Sequence, residues 1–306
     1  MKNPKAQILQ LKFALNKDDT KFFHYYEDDQ DEFVYCFFGD LEIDADLRLD
    51  WEGYGDAKNY AEGFCKRYNI RSGWIVDCYE SLMVDGKEVE NPVKKAGIVP
   101  TDIIHTINGH PVLTPNGDTD NKIVYAGSPK QVDVEYTHLG EACTTILEPC
   151  YIDGSPRLAI RASDLHTEES PELHGICVFG NLKVNGSVVN ETGEGGPMLY
   201  VSGNLEADNL IAGGSFVEVK GTTMVKHYVY GHYNDGIMRL KDVVAKAIFD
   251  SDHDFSFGKF TGPYFDDFDV DAYFDPKYDG AIDAMLNGAD FAEPEEDDEE
   301  DEDDDD

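Results

Sequence analysis

The sequence has few basic residues, which narrows its possible partners. Lysine and arginine together number 25 against 63 acidic residues, giving a formal net charge of −38. Proteins that bind nucleic acid through their own cations place lysine and arginine on the phosphates, so this balance excludes direct nucleic-acid binding. It also disfavours binding to an anionic membrane surface. The excess of acid indicates either a surface that is simply well solvated or a basic partner.

Long apolar runs and paired cysteines are also missing. No stretch approaches the roughly 18 apolar residues of a membrane span, and the N-terminal "AQILQLKFALNK" has no clean cleavage site for a secretory signal. The six cysteines include no Cys-x-x-Cys pair, which indicates neither a zinc site nor a disulfide framework. We therefore expect reduced thiols and a cytoplasmic location.

Catalytic motifs are absent as well. The sequence has no phosphate-binding loop and no nucleophile elbow, and its nine histidines do not form a ligand set. Residues 250–254, "DSDHD", combine three aspartates with a histidine. We interpret them as a solvated loop that caps the last coil of a repeat, with a divalent-metal site as the alternative. We expect no catalytic residue, no metal and no cofactor.

The N-terminal region alternates between apolar and polar residues. "LEIDADLRLDW" at 41–51 keeps a period of two over eleven residues, which predicts a strand, and the helical spacing of "AKNYAEGFCKRY" follows it. Together they predict an α+β unit over residues 1–70 with an acidic sheet face. The carboxylates Glu42, Asp44, Asp46 and Asp50 on that face are candidates for binding a basic partner, and a merely solvated face is the alternative.

Residues 71–152 have the pattern of a second domain. A strand "GWIV" precedes a short helical segment that ends at Gly97, and tight hairpins are predicted at Asn108-Gly109 and Leu139-Gly140. The phrases "AGI" at 96–98, "DII" at 102–104 and "INGHPV" at 107–112 resemble the PDZ domains of the bacterial type. The resemblance covers about a quarter of the chain.

A PDZ fold implies a peptide-binding edge. In that family the C-terminal strand of a partner is added to the sheet, and the loop that holds its carboxylate is expected just before "GWIV". The candidates for this contact are Ile70, Arg71, Ser72, Gly73 and Trp74. The sequence departs from the family at Thr101, where glycine is usual, and in "NIRS" at 69–72. This second departure, with a long loop at 81–91, predicts a weak or blocked groove.

A glycine-centred repeat follows the second domain. Gly180, Gly203 and Gly221 are each preceded two residues earlier by valine, and a weaker copy is centred on Asp242. Repeats of about 20 residues are too small to bury their own apolar face, so they stack. We predict a short right-handed parallel β-helix over 157–255, with Val178, Val201 and Val219 in one internal column. Glycine turns each corner, and Asn181 bonds to Asn204 between coils. An antiparallel sandwich is the alternative.

The repeat region, with "VFGNLKVNGSVVN" and "LYVSGNLEADNLIAGGSFVEVKG", resembles small β-helical proteins of bacteria. Some of these are encoded near polymorphic toxins as immunity or accessory proteins. After the repeats come an acidic and aromatic cap segment at 256–292 and a tail at 293–306 with 13 acids in 14 residues, which is expected to be disordered.

The sequence therefore predicts a mainly β protein with four parts and an acidic tail. The favoured function is that of a non-enzymatic cytoplasmic binding protein, an immunity-type protein that neutralises a basic bacterial toxin. The first alternative is a PDZ-type adaptor that binds C-terminal peptides, and the second is a β-helical scaffold protein. The neighbouring open reading frame is the most informative single observation, because a toxin gene beside this one favours the immunity hypothesis.

Overall fold

The structure is a computed structural model that describes eight segments of the chain: residues 5–10, 33–49, 70–114, 117–118, 124–165, 173–193, 196–234 and 236–294. These residues are mainly β, as predicted. The helix predicted at 57–68 and the tail beyond Pro294 lie outside the described residues.

The first described strands, in chain order, are β1 (Lys5–Gln10), β2 (Phe33–Phe38), β3 (Leu41–Ile43), β4 (Leu47–Arg48), β5 (Gly73–Tyr79), β6 (Leu82–Val84), β7 (Lys87–Val89), β8 (Ile103–Ile107), β9 (His110–Pro111), β10 (Leu113–Thr114), β11 (Gly117–Asp118), β12 (Val132–His138), β13 (Glu141–Leu147), β14 (Cys150–Ile152), β15 (Ser155–Arg157) and β16 (Ile160–Leu165). The later strands are β17 (Leu173–Phe179), β18 (Leu182–Val184), β19 (Val188–Val189), β20 (Met198–Val201), β21 (Leu205–Ala207), β22 (Leu210–Ala212), β23 (Phe216–Val225), β24 (Tyr228–His232), β25 (Ile237–Val244), β26 (Ala247–Ser251), β27 (Asp254–Lys259) and β28 (Tyr264–Asp266). The α-helices are α1 (Pro92–Lys95) and α2 (Gly280–Leu286), and a 3-10 helix spans Val270–Tyr273.

The chain divides into two compact units, each assembled from three stretches of sequence. Unit 1 comprises Met1–Glu42, Trp51–Lys183 and Gly196–Asn204, and unit 2 comprises Ile43–Asp50, Val184–Gly195 and Leu205–Asp306. Both contain short parallel strands from successive coils, which together make a solenoid-like β-helix of about four turns.

In unit 1 the coils contribute β2, β17 and β20, which pair in parallel. Phe37 lies opposite Val178, and Val178 lies opposite Val201. All three side chains are fully buried, so the predicted internal stacking of Val178 on Val201 is confirmed. β1 pairs antiparallel with β2 at one edge of these strands.

In unit 2 the coils form two sheets. One runs through β21, β23, β25 and β27, and the other follows the order β28-β26-β24-β22-β19-β4; every pairing given for them is parallel. Val219 is buried and lies opposite Leu240. The parallel coils rule out the antiparallel sandwich. The right-handed sense of the solenoid stays a prediction.

The solenoid begins earlier in the chain than predicted. Within unit 1, β2 pairs with β17, and within unit 2, β4 pairs with β19. Residues 33–49 therefore form the first coil, whereas the sequence had placed them in a separate α+β unit and had begun the β-helix at 157. The alternating run at 41–51 is also not one strand: β3 and β4 are separated by a bend at 44–46, where the coil turns. At the other end the solenoid continues past 255, because β28 pairs with β26.

The stretch between the first and second coils carries an antiparallel sheet within unit 1. Its strands follow the order β13-β12-β8-β5-β16, with β9 paired to β8. Both predicted hairpin turns are confirmed: Asn108-Gly109 joins β8 to β9, and Leu139-Gly140 joins β12 to β13. All four turn residues have positive φ, as a type I′ turn requires. Gly97 has φ 82° after α1, as predicted for a left-handed helix end.

Two further hairpins lie where the sequence had been interpreted as a loop and a linker. Asp85-Gly86 joins β6 to β7 within the predicted long loop, and Asp153-Gly154 joins β14 to β15 in the stretch between the second domain, predicted to end at 152, and the β-helix, predicted to begin at 157. All four residues have positive φ. Asp-Gly is a strong signal for a type I′ turn, so both hairpins were readable from the sequence.

Strand β1 is hydrogen-bonded to this antiparallel sheet as well as to β2. The Gln7 side chain is buried, donates to Thr101 O (2.5 Å) and accepts from Gly140 N (2.9 Å). Lys5 forms an ion pair with Glu141. A single strand in unit 1 therefore contacts both the stacked coil and the 70–165 sheet.

Thr101, at the position where the PDZ pattern usually has glycine, has a positive φ, a backbone conformation that glycine adopts more readily. Its φ is 82°, a region that a β-branched residue enters only at a cost. We expect Thr101→Gly to raise the free energy of unfolding by about 1 kcal/mol, because glycine removes this strain. Urea denaturation of the full chain measures the change.

Gly97 supplies the matched control for that substitution. It has the same φ of 82°, and a Cβ there would meet nothing within 4 Å, so only backbone strain changes. Gly97→Ala should lower the free energy of unfolding by about 1 kcal/mol. Loss of stability in Thr101→Gly would show instead that contacts of the threonine side chain outweigh the strain.

The predicted cap segment covers the side of the second sheet. The Tyr228 ring on β24 lies 5.9 Å from Phe249, 5.7 Å from Phe274 and 6.1 Å from Phe291, centroid to centroid. The 3-10 helix and α2 complete this core with Val270, Ala281, Ala284 and Met285. Residues 270–291 are thus a lateral cover, while 256–266 belong to the last coil.

Polar side chains bond between coils at the corners. In unit 1, Asn181 Nδ2 donates to Asp40 Oδ1 (2.9 Å), and Asn204 N donates to Asn181 Oδ1 (2.9 Å). The predicted bond between Asn181 and Asn204 is therefore confirmed, and Asp40 extends the same ladder to the first coil. In unit 2, buried Asn209 donates to Ser187 Oγ (3.0 Å) and accepts from Tyr228 N (3.1 Å).

Candidate functional site

The predicted row of acidic residues makes contacts between coils. In unit 1, Glu42 Oε1 accepts from Lys183 Nζ (2.8 Å). In unit 2, Asp44 Oδ1 accepts from Asn185 Nδ2 (3.1 Å), and Asp46 Oδ1 accepts from Ser187 N (2.7 Å). Asp50 lies outside the described residues. The three described carboxylates thus have a structural use in holding the first coil on the second.

The predicted carboxylate loop is only partly accessible. Ile70 is buried, and Arg71 lies 3.5 Å from Glu135 in an ion pair. The Ser72 carbonyl lies 2.8 Å from His105 Nδ1. Gly73 and Trp74 begin β5, which pairs with β8 on one side and with β16 on the other. The edge that the sequence had assigned to a peptide is therefore filled by the chain itself.

β16 is one of the two edge strands of this sheet, and β13 is the other. Within the residues that the structure describes, β16 pairs with β5 alone. A groove of about 770 Å³ lies along it, lined by Trp74, Glu80, Ser81, Leu82, Met83, Ile152, Pro156, Arg157, Leu158, Ala159, Ile160, Ala162 and Asp164. A cleft of this size is in the range that proteins use for ligands.

The groove combines an apolar lining with charged residues. Trp74, Leu158 and Ile160 are half-buried and also pack on the core of the sheet, while the Met83 side chain is 52% exposed. The charged residues of the lining are Glu80, Arg157 and Asp164, all of them exposed. An apolar cleft beside an open strand can accept the alternate side chains of an extended peptide.

The opposite face of β16 is anchored to β5 through a buried carboxylate. Ser163 Oγ lies 3.1 Å from both carboxylate oxygens of Asp77, and Arg161 Nε lies 3.7 Å from Asp77 Oδ2. The Asp77 side chain is only 4% exposed. These polar contacts fix the position of β16 relative to β5. The edge strand is therefore already ordered before a partner binds.

The residues at 250–254 form a corner between β26 and β27. Asp250 Oδ2 accepts from Tyr264 OH (2.6 Å), and Asp250 Oδ1 accepts from His253 N (3.2 Å). Residues 250–254 therefore do not cap the last coil, as the sequence had predicted. They form the turn that leads into it. No three His, Cys, Asp or Glu side chains stand close enough to hold a metal ion anywhere in the described segments.

Two histidines lie between the coils of unit 2, of which His253 is buried and His232 is half-buried. His232 Nε2 lies 3.1 Å from Asn190 O, and His253 Nδ1 lies 3.1 Å from Tyr233 O. Burial lowers the pKa of both imidazoles; the neighbouring imidazole lowers that of His232 further, and backbone acceptors and nearby carboxylates oppose the shift. Both rings are therefore held in the neutral form near neutral pH.

This histidine pair predicts an acid-sensitive solenoid. Because the folded-state pKa values are lowered, the unfolded chain takes up protons first as the pH falls through about 6.5. The free energy of unfolding should therefore decrease from about pH 7.5 to 5.5, by at most about 1.4 kcal/mol per pH unit for each histidine. Urea denaturation at several pH values measures this slope.

The matched pair for the pH experiment is His232→Gln and His110→Gln. His110 is exposed, so its replacement should leave the slope unchanged. His232→Gln should flatten the slope while lowering stability at neutral pH. An unchanged slope in His232→Gln would show that other groups carry the acid sensitivity.

The described cysteines are free thiols. Cys36 and Cys177 are buried and lie opposite one another on β2 and β17. Burial raises the pKa of the Cys36 thiol, with a further contribution from Cys177. Since the thiolate is the reactive form, Cys36 is a packing residue.

The sequence missed β16 and the groove beside it. Ile160 and Ala162 alternate with Arg161 and Ser163, which is a short strand signal, but the run was interpreted as the start of the β-helix. In the described segments no helix is long and apolar enough to cross a membrane. Neither the known protein families, nor characterised proteins, nor solved structures include a match to this chain.

Proposed function

We propose that this is a non-enzymatic binding protein that captures an extended segment of a protein partner along β16. The observation that carries the proposal is the open edge of β16 beside the 770 Å³ groove. Backbone groups of an edge strand supply affinity for an extended peptide, and the side-chain pockets supply specificity. This is the adaptor function that the PDZ resemblance implies, moved from β5 to β16.

The groove favours a partner segment with apolar and basic residues. Apolar side chains of the segment would contact Trp74 and Ile160, and its basic groups would lie near Glu80 and Asp164. The overall charge of −38 attracts such a segment at long range and raises its association rate. Arg157 is the one cation of the lining and is complementary to a carboxylate. A peptide with a free C-terminus is therefore also a candidate ligand.

A panning experiment with Ala162→Arg tests the groove. Peptide libraries with free C-termini and with internal display are selected on the full-length protein. We expect enrichment of sequences that alternate apolar and basic residues, and a clear decrease of this enrichment in Ala162→Arg, because a half-buried alanine of the groove is replaced by a bulky cation. Thr144→Arg, an exposed site on β13 at the other edge of the sheet, is the matched control and should keep the enrichment.

Two results would contradict the proposal. Equal enrichment on the wild type and on Ala162→Arg places binding elsewhere. Failure of both libraries to enrich any sequence, with a folded protein on the support, removes the adaptor function. Enrichment only from free C-termini would identify the carboxylate as part of the ligand and would support the C-terminal-peptide form of the proposal.

Neutralisation of a basic toxin is a second candidate, favoured by the charge. An enzyme that acts on nucleic acid carries a cationic cleft, and a rigid acidic protein blocks such a cleft with fast, electrostatically steered association. Removal of residues 293–306 changes the net charge from −38 to −25, so most of the excess acid lies in the rest of the chain.

A truncation after Ala292 tests whether the acidic residues of the tail or those of the rest of the chain contribute to binding of a basic partner. We expect slower association and a weaker dependence on ionic strength, with the partner still inhibited, because carboxylates fixed on ordered strands lose less entropy on binding than those of a tail whose composition predicts disorder. Stopped-flow association against salt concentration measures both effects. Complete loss of binding on truncation would identify the tail itself as the ligand.

A further inference from the structure

In unit 2, the last residues of the internal columns of the solenoid are not covered by a further described coil. Met238 and Leu240 on β25 are buried at 0% and 4% exposure. Their partners in the last coil are Phe255 and Phe257 on β27, which are only half-buried. The aromatic side chains that close the column therefore expose surface that equivalent residues in the preceding coil bury.

The last coil also has unused backbone groups. In the described part of the chain β27 pairs with β25 alone, and β28 pairs with β26 alone. Asp254 N donates to Gly236 O (3.1 Å), on the β25 side. Because N–H groups alternate along a strand, those of Phe255 and Phe257 point to the open side. Natural solenoids protect such terminal edges, since an open edge recruits another strand.

Further aromatic surface surrounds this edge. Phe257 packs at 6.1 Å from Phe260 and at 5.5 Å from Tyr264, ring centroid to centroid. Tyr264 is 42% exposed, and Phe268, at the end of the same coil, is 81% exposed. The lateral cover at 270–291 packs on the side of the second sheet and leaves these rings in solvent.

The charges around the edge specify the kind of occupant. Asp252, Asp254, Asp266 and Asp269 are exposed on the corners and strands of the last coil, against the single cation Lys259. A second copy of the chain would bring the same carboxylates edge to edge, and the chain's own acidic tail has the same sign of charge. A basic segment is complementary to this surface.

We propose that the open end of the solenoid, strand β27 with the aromatic rings of 255–268, docks an extended basic segment of another protein. The segment adds to β27 as a further strand, with alternate apolar side chains on Phe255 and Phe257 and its cations near the surrounding aspartates. This surface belongs to unit 2, whereas the β16 groove belongs to unit 1, so either one can fail without the other.

The test uses synthetic peptides of about eight residues, the length of a typical strand. The probe alternates lysine and valine, and its control has the same sequence with an N-methyl group on every residue, which keeps the charge but removes the N–H donors of both edges. Titration of the full chain should give binding to the probe and none to the methylated control. Hydrogen exchange should show protection of the Phe255 and Phe257 amides.

Charge-reversal variants locate the site. We expect Asp254→Lys with Asp266→Lys to weaken binding of the lysine–valine peptide by about ten-fold or more. Glu206→Lys, an exposed reversal on β21, is the matched control and should change it by less than about two-fold. Phe268→Ser, at a side chain that is 81% exposed, should weaken binding without altering stability.

Three outcomes overturn the proposal. Equal binding of the methylated peptide means attraction by charge alone, without strand addition. Loss of binding in Ala162→Arg, with no effect of the Asp254 and Asp266 reversals, assigns the peptide to the β16 groove. Sedimentation of the free protein as a dimer that Phe268→Ser dissociates shows that a second copy covers the end.

Discussion

Val201→Asp is expected to unfold the solenoid. Val201 is fully buried on β20 and lies opposite Val178 of the preceding coil, so the new carboxylate has no water and no cation. Loss of the buried valine and burial of an unpaired polar group together cost at least about 4 kcal/mol. That is comparable to the whole stability of many domains. Far-UV circular dichroism during urea denaturation should show a large loss of cooperative β-structure.

Ser202→Asp is the matched control for this substitution. Ser202 is the next residue and is exposed, and its backbone N–H bonds to Val178 O (2.9 Å) whatever the side chain. The same carboxylate one position along should therefore change the free energy of unfolding by less than about 0.5 kcal/mol. Similar unfolding curves for the two variants would mean that Val201 does not face the interior.

Gly180→Ala is expected to be the second most damaging change. A Cβ at this corner would lie 2.4 Å from the carbonyl carbon and oxygen of Gly39 and 2.7 Å from Asp40 N, all of them backbone atoms of the neighbouring coil. Backbone cannot move aside as a flexible side chain can, so the two coils must separate locally. Overpacking of this kind costs about 3 kcal/mol.

A position can require glycine because its φ is positive or because neighbouring atoms leave no space for a Cβ. Gly97→Ala distinguishes these two reasons. Gly97 has positive φ but open space at its Cβ, so alanine there adds only conformational strain of about 1 kcal/mol. Gly180 is not among the residues with positive φ, and alanine there adds only contact. Equal effects of the two substitutions in urea denaturation would show that the coils can separate at a cost of only about 1 kcal/mol.

That comparison also shows what the sequence could and could not reveal about the corners. The glycines at 180 and 203 correctly indicated corners, whereas the prediction was wrong for Gly221, which lies within β23 where the register shifts between Val219 and Thr222. At the two corners, glycine was assumed to allow a sharp turn. The structure gives another reason: the Gly203 Cβ position lies 2.6 Å from Gly180 O, so the coils approach too closely for any side chain. Close approach depends on a partner many residues away, which a local pattern does not identify.

Local signals were reliable wherever neighbouring residues decide the structure. The type I′ turns at Asn108-Gly109 and Leu139-Gly140 are determined by two residues each, and both are confirmed. Asp85-Gly86 gave the same signal and was overlooked. By contrast, the alternation at 41–51 does not distinguish a strand in a small α+β unit from a coil whose partner starts at Leu173.

The candidate groove could not be predicted from the sequence for a related reason. The PDZ resemblance assigned the peptide edge to the start of β5, next to Gly73 and Trp74. The chain returns at Ile160–Leu165 and adds β16 to that edge. Strand order depends on tertiary pairing, which the local sequence pattern of this region does not reveal.

The interrupted first coil has a consequence for the order of folding. Residues 33–49 leave the ribosome first, but their partners begin at Leu173, after the intervening residues 50–172. At about 5–20 residues per second, the first coil waits on the order of ten seconds for the strands that cover it. During that interval the 70–165 sheet, whose hairpins are local, can form and bring the ends of the stretch together, which lowers the entropy cost of the later docking. Nascent chains arrested before Leu173 should therefore be the form most dependent on a chaperone.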